Sequence, residues 1–442
     1  MRYTWSRFAF VVAMITMLLL TACGGTSGSS STSSTSPGVL DPSKKYTVNF
    51  WDVFPTGANK TTIAELVKNY ESQHSNVTVN VQAYDSYDTL KTKLTAAIAA
   101  GKPPAISQVY EEWATQFQQS GAISSLQPFI SGKNGLSQSD LSDFYPKLLQ
   151  DGQINNTQYM LPFNKSTLVV YYNEAMLKAN NITPPTTMQD MMTDITKLTK
   201  SDGSQWGLSY TPDVDVWSIL YKSLGGTNFV SSDGKSVAFS SGKNAQYAQQ
   251  ALGEFASLVQ SKAMHVTSGY TWQNDFASSK SAFAISTIAS YPFLKQAVGS
   301  AFAFNETPIP AGPQGQYTVL YGTNLALYSG VDADTQTAAW DFMKYMTGTS
   351  ANTTFVLKTG YMPIRQSTYN SSTLQSYYAK TPARKVGPES IQYGFVASTV
   401  PAWDQCRSII TNTFTSVLKG QLSASDGFNK MVQGSNAALA QG

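Results

Sequence analysis

Ionic side chains are scarce in this chain. Only 13% of its 442 residues are Asp, Glu, Lys or Arg, and the formal charge of +3 has no concentrated source because no Lys/Arg block occurs. A nucleic-acid partner is therefore not expected. Histidine is rarer still. His74 and His265 stand alone, outside any His, Cys or acid pattern of zinc spacing, so no metal is expected. No G-x-S-x-G, P-loop or G-x-G-x-x-G occurs, and two histidines give a Ser-His-Asp triad little to draw on. No cofactor is expected either. Beyond the N-terminus, no apolar run approaches membrane-spanning length. Polarity comes instead from Ser, Thr, Asn, Gln and Tyr, and the length allows two or three domain-sized cores.

The N-terminus has the layout of a targeting segment. Arg2 and Arg7 precede an apolar run from Phe8 to Leu20, which ends in Leu20-Thr21-Ala22-Cys23. That ending resembles a bacterial lipobox, with residues 1–22 as signal peptide and Cys23 as the acylated residue. Acyl chains anchor by burying methylenes. Loss of Arg2 and Arg7 brings the formal charge to about +1. Residues 23–45 begin with a Ser/Thr/Gly-rich stretch that cannot bury enough apolar surface to order itself, and they read as a tether. With Cys23 lipidated, Cys406 has no disulfide partner and reads as a buried small hydrophobe.

After the tether, strand and helix patterns alternate. Strands are expected at Tyr46–Phe54, Val77–Tyr84 and Ala105–Tyr110, with helices around Ile63–Tyr70, Leu90–Ile98 and Glu111–Ser120. This order argues for a layered, mostly parallel sheet. A second αβ region begins near Pro162. It has strands at Thr167–Tyr172, Trp206–Tyr210, Ser281–Ile288 and Phe302–Ile309, and one long helix over Asn244–Lys262. The run Tyr317–Tyr328 carries Gly322 in its middle, which suggests close backbone approach or a crossing. Helices near Asp334–Met346 and Asp404–Leu418 follow.

The chemistry-bearing candidate that stands out is Glu111, at the end of PPAISQVYEEW. A glycosidase needs two carboxylates across a cleft, and Glu111 is available as one. Its place at a helix N-terminus favours the ionised form, which suits an acceptor of hydroxyl hydrogen bonds better than a general acid. Glu112 reads as a solvated residue of the first helical turn.

Several stretches together resemble one family: the lipobox, YTVNFWDVF (46–54), the run from Tyr87 through PPAISQVYE, LPFNKSTLVVYYNEAMLKANN (161–181), TGYMPI (359–364) and the last helix. They are similar to the carbohydrate-type extracellular solute-binding proteins of bacterial ABC importers. PPAISQVYE and PFNKSTLVVYYN are nearest to the branch that binds sn-glycerol-3-phosphate. The resemblance implies an α/β, two-lobed periplasmic-binding-protein fold of type II, maltose-binding-protein-like, with discontinuous lobes and a hinge. The expected N-terminal lobe is 46–163 plus about 322–367, and the C-terminal lobe 164–321 plus about 368–442.

It further implies a receptor rather than an enzyme. Such a receptor is lipid-anchored on the outer face of the bacterial cytoplasmic membrane, periplasmic where an outer membrane exists, and monomeric. It hands its solute to ABC permease subunits. The implied ligand is sn-glycerol-3-phosphate or a glycerophosphodiester, with a mono- or oligosaccharide as the alternative and a secreted glycan-active enzyme behind both. Motif matching carries ligand contacts onto Tyr87, Glu111, Ser166, Ser290, Gly322, Tyr361 and Arg407, with Arg407 as the phosphate fork. Taken alone, Arg407 reads as a helix residue salt-bridged to a neighbour, and Tyr361 as a core aromatic. Trp217, Trp272 and Trp403 are available for stacking on sugar rings, or equally for a core. Lys165 departs from the family pattern, which often has a small residue there.

Overall fold

The computed structural model describes residues 38–396 and 398–441. The expected signal peptide, Cys23 and most of the expected tether lie outside them. Two sheets organise the described chain. The first has five strands in the order Val77–Ala83, Tyr46–Asp52, Ile106–Val109, Asn324–Leu327, Met160–Pro162. The first three are parallel, and Asn324–Leu327 inserts antiparallel beside Ile106–Val109.

Ile106–Val109 is the centre of this sheet and is buried at every position. Its two polar residues must therefore find internal partners. Ser107 Oγ meets the Tyr328 hydroxyl at 2.8 Å. Gln108 accepts from the Val53 amide at 2.8 Å and donates to Asn164 Oδ1 at 3.0 Å. The helix Gly57–Gln73 covers one face with Ile63, Leu66, Val67 and Tyr70, beside Trp340 and Phe355 of two later helices. Leu90, Leu94, Trp113 and Phe117 cover the other face.

The second sheet has seven strands, with Ser166–Asn173 pairing antiparallel to Ser281–Thr287, Phe304–Pro308 and Thr318–Tyr321. Its largest core contains a helix, Val214–Leu224, that periodicity did not single out. Ten of its eleven residues are buried, the polar Asp215, Ser218 and Ser223 among them, so its polar positions do not mark a solvent face. Asp213 caps it, accepting from the Asp215 and Val216 amides at 3.0 and 2.9 Å. The expected long helix over Asn244–Lys262 is two helices, Gly242–Gly253 and Ala256–Gln260. The break follows Gly253, a poor helix former.

The chain crosses from the first sheet to the second between Pro162 and Ser166, and returns between Tyr321 and Asn324. The crossings run side by side as a ribbon. Asn324 pairs with Pro162, the Phe163 amide donates to Thr323 O, and Tyr321 pairs with Ser166. Between these pairs Asn164 and Lys165 stand opposite Gly322 alone. Gly322 has φ +92°, and a Cβ there would lie 1.9 Å from Asn164 O, so only glycine fits. A further passage was expected near Ser367 and falls later. Residues 366–380 stay on the first lobe, where Leu374 and Tyr378 pack with Val356 and the Ser367 amide donates to Asp143. The chain reaches the second lobe at Arg384, whose Nη1 lies 2.9 Å from both carboxylate oxygens of Glu306.

Candidate solute-binding cleft

The central strand Ile106–Val109 ends at Tyr110, and the helix Glu111–Gln119 starts at once. The first turn of that helix holds both acids, and both are buried. Glu111 Oε1 accepts from Lys165 Nζ at 3.2 Å and from Asn324 Nδ2 at 2.9 Å. Lys165 Nζ also donates to Asp151 Oδ2 and, at 3.0 Å, to Gly322 O. Asn324 Nδ2 reaches Asp151 Oδ2 at 3.1 Å. Lys165 is fully enclosed. One ammonium thus sits between two carboxyl groups at the crossing ribbon.

Burial, then the Asp151 carboxylate, push the Glu111 carboxyl well above its ordinary range against the pull of Lys165. Loss of water, rather than the helix end, is therefore the largest influence on this carboxyl group, and the Lys165 ammonium favours its charge. The upward shift removes the pKa argument against an acid role. What weighs against that role is the engagement of Oε1 by Lys165 and Asn324. Glu112 was expected to face water. Instead it is 6% exposed, and burial raises its pKa while Arg407 opposes the shift.

An aromatic wall stands beside this cluster on the first lobe. Tyr110 packs edge-on against Tyr87 and Trp113, with ring centroids 4.9 and 5.2 Å apart. Asn164 Nδ2 donates to the Tyr87 hydroxyl at 3.1 Å. Tyr361 stacks on Phe355 at 5.4 Å. Burial raises the pKa of both Tyr87 and Tyr361, so both phenols keep their protons as donors. The sequence-matched Tyr87, Glu111, Gly322 and Tyr361 are thereby gathered around Asn164 and Lys165.

The second lobe brings Arg407, one turn into the helix Trp403–Leu418. Its Nη1 and Nη2 donate to the two oxygens of Asp215 at 3.2 and 3.0 Å. The Tyr321 hydroxyl donates to the same carboxylate. Burial opposes the Arg407 cation, but Asp215 and then Glu112 more than offset it, so its pKa is raised. Asp213, next to Asp215, is pushed up to about 7, by burial first and then by its neighbour's charge. Lys91 of the first lobe pairs with Asp404 of the second beside this site.

Ser166 opens its strand at the ribbon and is 2% exposed. Ser290 Oγ lies 2.9 Å from Ser286 Oγ, just before Pro292, which packs on Gly360 next to Tyr361. The three tryptophans are not on the cleft. Trp217, Trp272 and Trp403 are 0%, 4% and 1% exposed. Trp217 stacks on Tyr221, Trp403 packs on Phe229, and Trp272 joins the core around Phe276. Apolar burial has claimed these three rings.

The family model for bacterial extracellular solute-binding proteins matches residues 65–383. The chain belongs to this family of bacterial extracellular solute-binding proteins. Among its relatives is the sn-glycerol-3-phosphate-binding periplasmic protein of Yersinia enterocolitica, 26% identical over 359 residues, covering 77% of this chain and 79% of the relative. The protein of the same name from Rhizobium meliloti is 25% identical over 409 residues, 87% of this chain and 92% of the other. Of solved structures, the GacH receptor of Streptomyces glaucescens, studied unliganded and with acarbose, aligns with a TM-score of 0.77 at 22% identity over 89% of this chain and 98% of that one. UgpB of Mycobacterium tuberculosis, in complex with glycerophosphocholine, aligns with a TM-score of 0.77 at 18% identity, with the same coverage.

This solute-binding protein serves an ABC importer, taking up a small solute and working with a membrane permease. Its relatives carry the names of binding proteins rather than enzymes. Motif matching missed much of the site: Asp151, Asn164, Lys165, Asn324, Tyr110, Asp213, Asp215 and Tyr321. Lys165 left one trace, as a cation where a small residue is usual. The others are single polar residues whose meaning depends on the crossing ribbon.

Proposed function

We propose that this solute-binding protein captures a glycerophosphodiester between its lobes and delivers it to the permease, as a monomer held to the outer face of the membrane by lipid on Cys23. The observation that carries the choice of solute is the setting of Arg407. Its charge is already matched by buried Asp215, and Glu112 and Asp213 lie close by. A phosphate monoester with two negative charges would meet three acidic groups around one guanidinium. A phosphodiester carries one charge, and a cationic head group cancels it. The Tyr87 and Tyr361 phenols supply neutral donors for its oxygens, and Tyr110 supplies an aromatic face for its cationic head. The Mycobacterium relative bound to glycerophosphocholine supports the same reading.

Calorimetric titration of the mature chain with glycerophosphocholine, glycerol-3-phosphate and maltose tests it. The diester is expected to bind at least about tenfold more tightly than the monoester, which corresponds to ~1.4 kcal/mol. Equal or tighter binding of glycerol-3-phosphate would overturn the choice of diester. A second reading, a neutral mono- or oligosaccharide, draws on the occupancy of both sides of the Arg407 fork by Asp215, which leaves phenols and amides as the free polar groups. Binding of maltose with neither glycerol compound would select it.

A further inference from the structure

A second cavity of about 750 Å³ opens between the lobes, and none of the seven sequence-matched ligand residues lines it. Two lysines reach it from opposite lobes. Lys147, on the helix Pro146–Gln150, donates to Gln392 O and Gly394 O, both at 2.8 Å. Lys222, near the end of the helix Val214–Leu224, donates to Thr227 O and stands over the rings of Phe229 and Phe395 at 5.3 and 5.8 Å. Both therefore approach the same strand, Gly394–Phe395. Neither forms an ion pair among the described residues. Burial alone lowers the pKa of each. Lys147 is exposed and Lys222 half-buried, and the hydrogen-bond partners of both are carbonyl oxygens, with no counter-charge among the described residues.

The one acid on the cavity wall, Asp151, is already paired with Lys165. Around it stand the amides of Gln150, Asn155 and Asn156. This end suits hydroxyl groups, which can donate and accept. We infer that this cavity is a second binding site, selective for a small hydroxylated anion such as a sugar acid or a sugar phosphate, with its charged group between Lys147 and Lys222 and its hydroxyls toward Asp151 and the amides. The site is independent of the solute proposed for the cleft.

Calorimetric titration of the mature chain with gluconate, glucose 6-phosphate and glucose tests it. Gluconate, glucose 6-phosphate or both are expected to bind, and glucose not. Binding by one acid alone identifies carboxylate or phosphate as the preferred group. Lys147→Gln and Lys222→Gln should each weaken that binding at least about tenfold, from loss of a charge-assisted hydrogen bond. Lys222→Arg should keep it, and both lysine variants should keep native unfolding transitions and native binding of the cleft solute. Tyr361→Phe, altered only in the cleft, should bind the anion as the native chain does. Failure of both acids to bind, equal binding of glucose, or loss through Tyr361→Phe rather than through the lysine variants would overturn the inference.

Discussion

Arg407 sets both outer nitrogens of its guanidinium on one carboxylate, that of Asp215, and Asp215 is 1% exposed. The pair joins the starts of two helices, Val214–Leu224 and Trp403–Leu418. Replacing Arg407 with Ala leaves a buried carboxylate uncompensated, so the solute-free protein should lose about 2–4 kcal/mol. Adding Asp215→Asn should restore most of it. Urea unfolding of the single and double variants measures both effects. A loss below about 0.5 kcal/mol in Arg407→Ala would show that Asp215 is solvated and that the pair is not structural.

Lys165 makes the sharper case, because it is fully enclosed and serves two acids and one carbonyl. Lys165→Met should destabilise the fold by about 3–5 kcal/mol at neutral pH. The same substitution in an Asp151→Asn background should cost much less, since the carboxylate it strands is gone. Equal losses in the two backgrounds would rule out the ammonium as the reason.

Asp52 predicts a pH dependence. Its Oδ1 accepts from the Phe54 amide at 3.1 Å, and its Oδ2 has no hydrogen-bond partner among the described residues. Burial pushes its pKa from 3.8 up to about 6, with the Phe54 amide opposing. The folded chain thus binds this proton more tightly than the unfolded chain. The stability tied to it is complete below about pH 4 and is lost as pH rises through about 6. Asp52→Asn keeps the amide bond and removes the titration. It should match the native chain near pH 4 and exceed it by about 1–3 kcal/mol at pH 8. Urea midpoints at pH 4, 6 and 8 check the trend, and a gap that does not change with pH would refute it.

The tryptophan correction is testable in the same way. Trp217→Ala and Trp403→Ala should each cost about 3–5 kcal/mol as cavity-forming core substitutions. Neither should change the ranking of solutes in calorimetry. A variant that kept its stability but lost saccharide binding would return that ring to the cleft.

Alternation and helical period revealed the strands Tyr46–Asp52 and Val77–Ala83 and most covering helices, because those elements have one wet face and one dry one, whereas Ile106–Val109, buried throughout, shows only as a short apolar stretch. The helix Val214–Leu224 buries the polar Asp215, Ser218 and Ser223 along with its apolar residues, so polarity does not outline a wet face. Glu111 shows the limit for the site. Its position at the start of a helix was legible, but its protonation depends on Asp151 and Lys165, which lie 40 and 54 residues away. The motifs bring Arg407 to the cleft but not Asp215, so a salt bridge of Arg407 was legible and its partner was not. Sequence spacing identifies which residues meet across a local element. It does not set the charge balance where distant strands converge.

The crossing ribbon has a consequence of leverage. Its strands are paired above and below one step, where Asn164 and Lys165 face a single glycine, Gly322. At that step Lys165 Nζ grips Gly322 O, and Lys165 O accepts from the Met362 amide at 2.9 Å. Gly322 and Met362 are therefore both pinned to one residue, Lys165, whose side chain is anchored by acids of the first lobe. A small rotation at this joint becomes a large displacement at the far rim of the cleft, so a reporter pair for opening belongs at the rim, with one probe on each lobe.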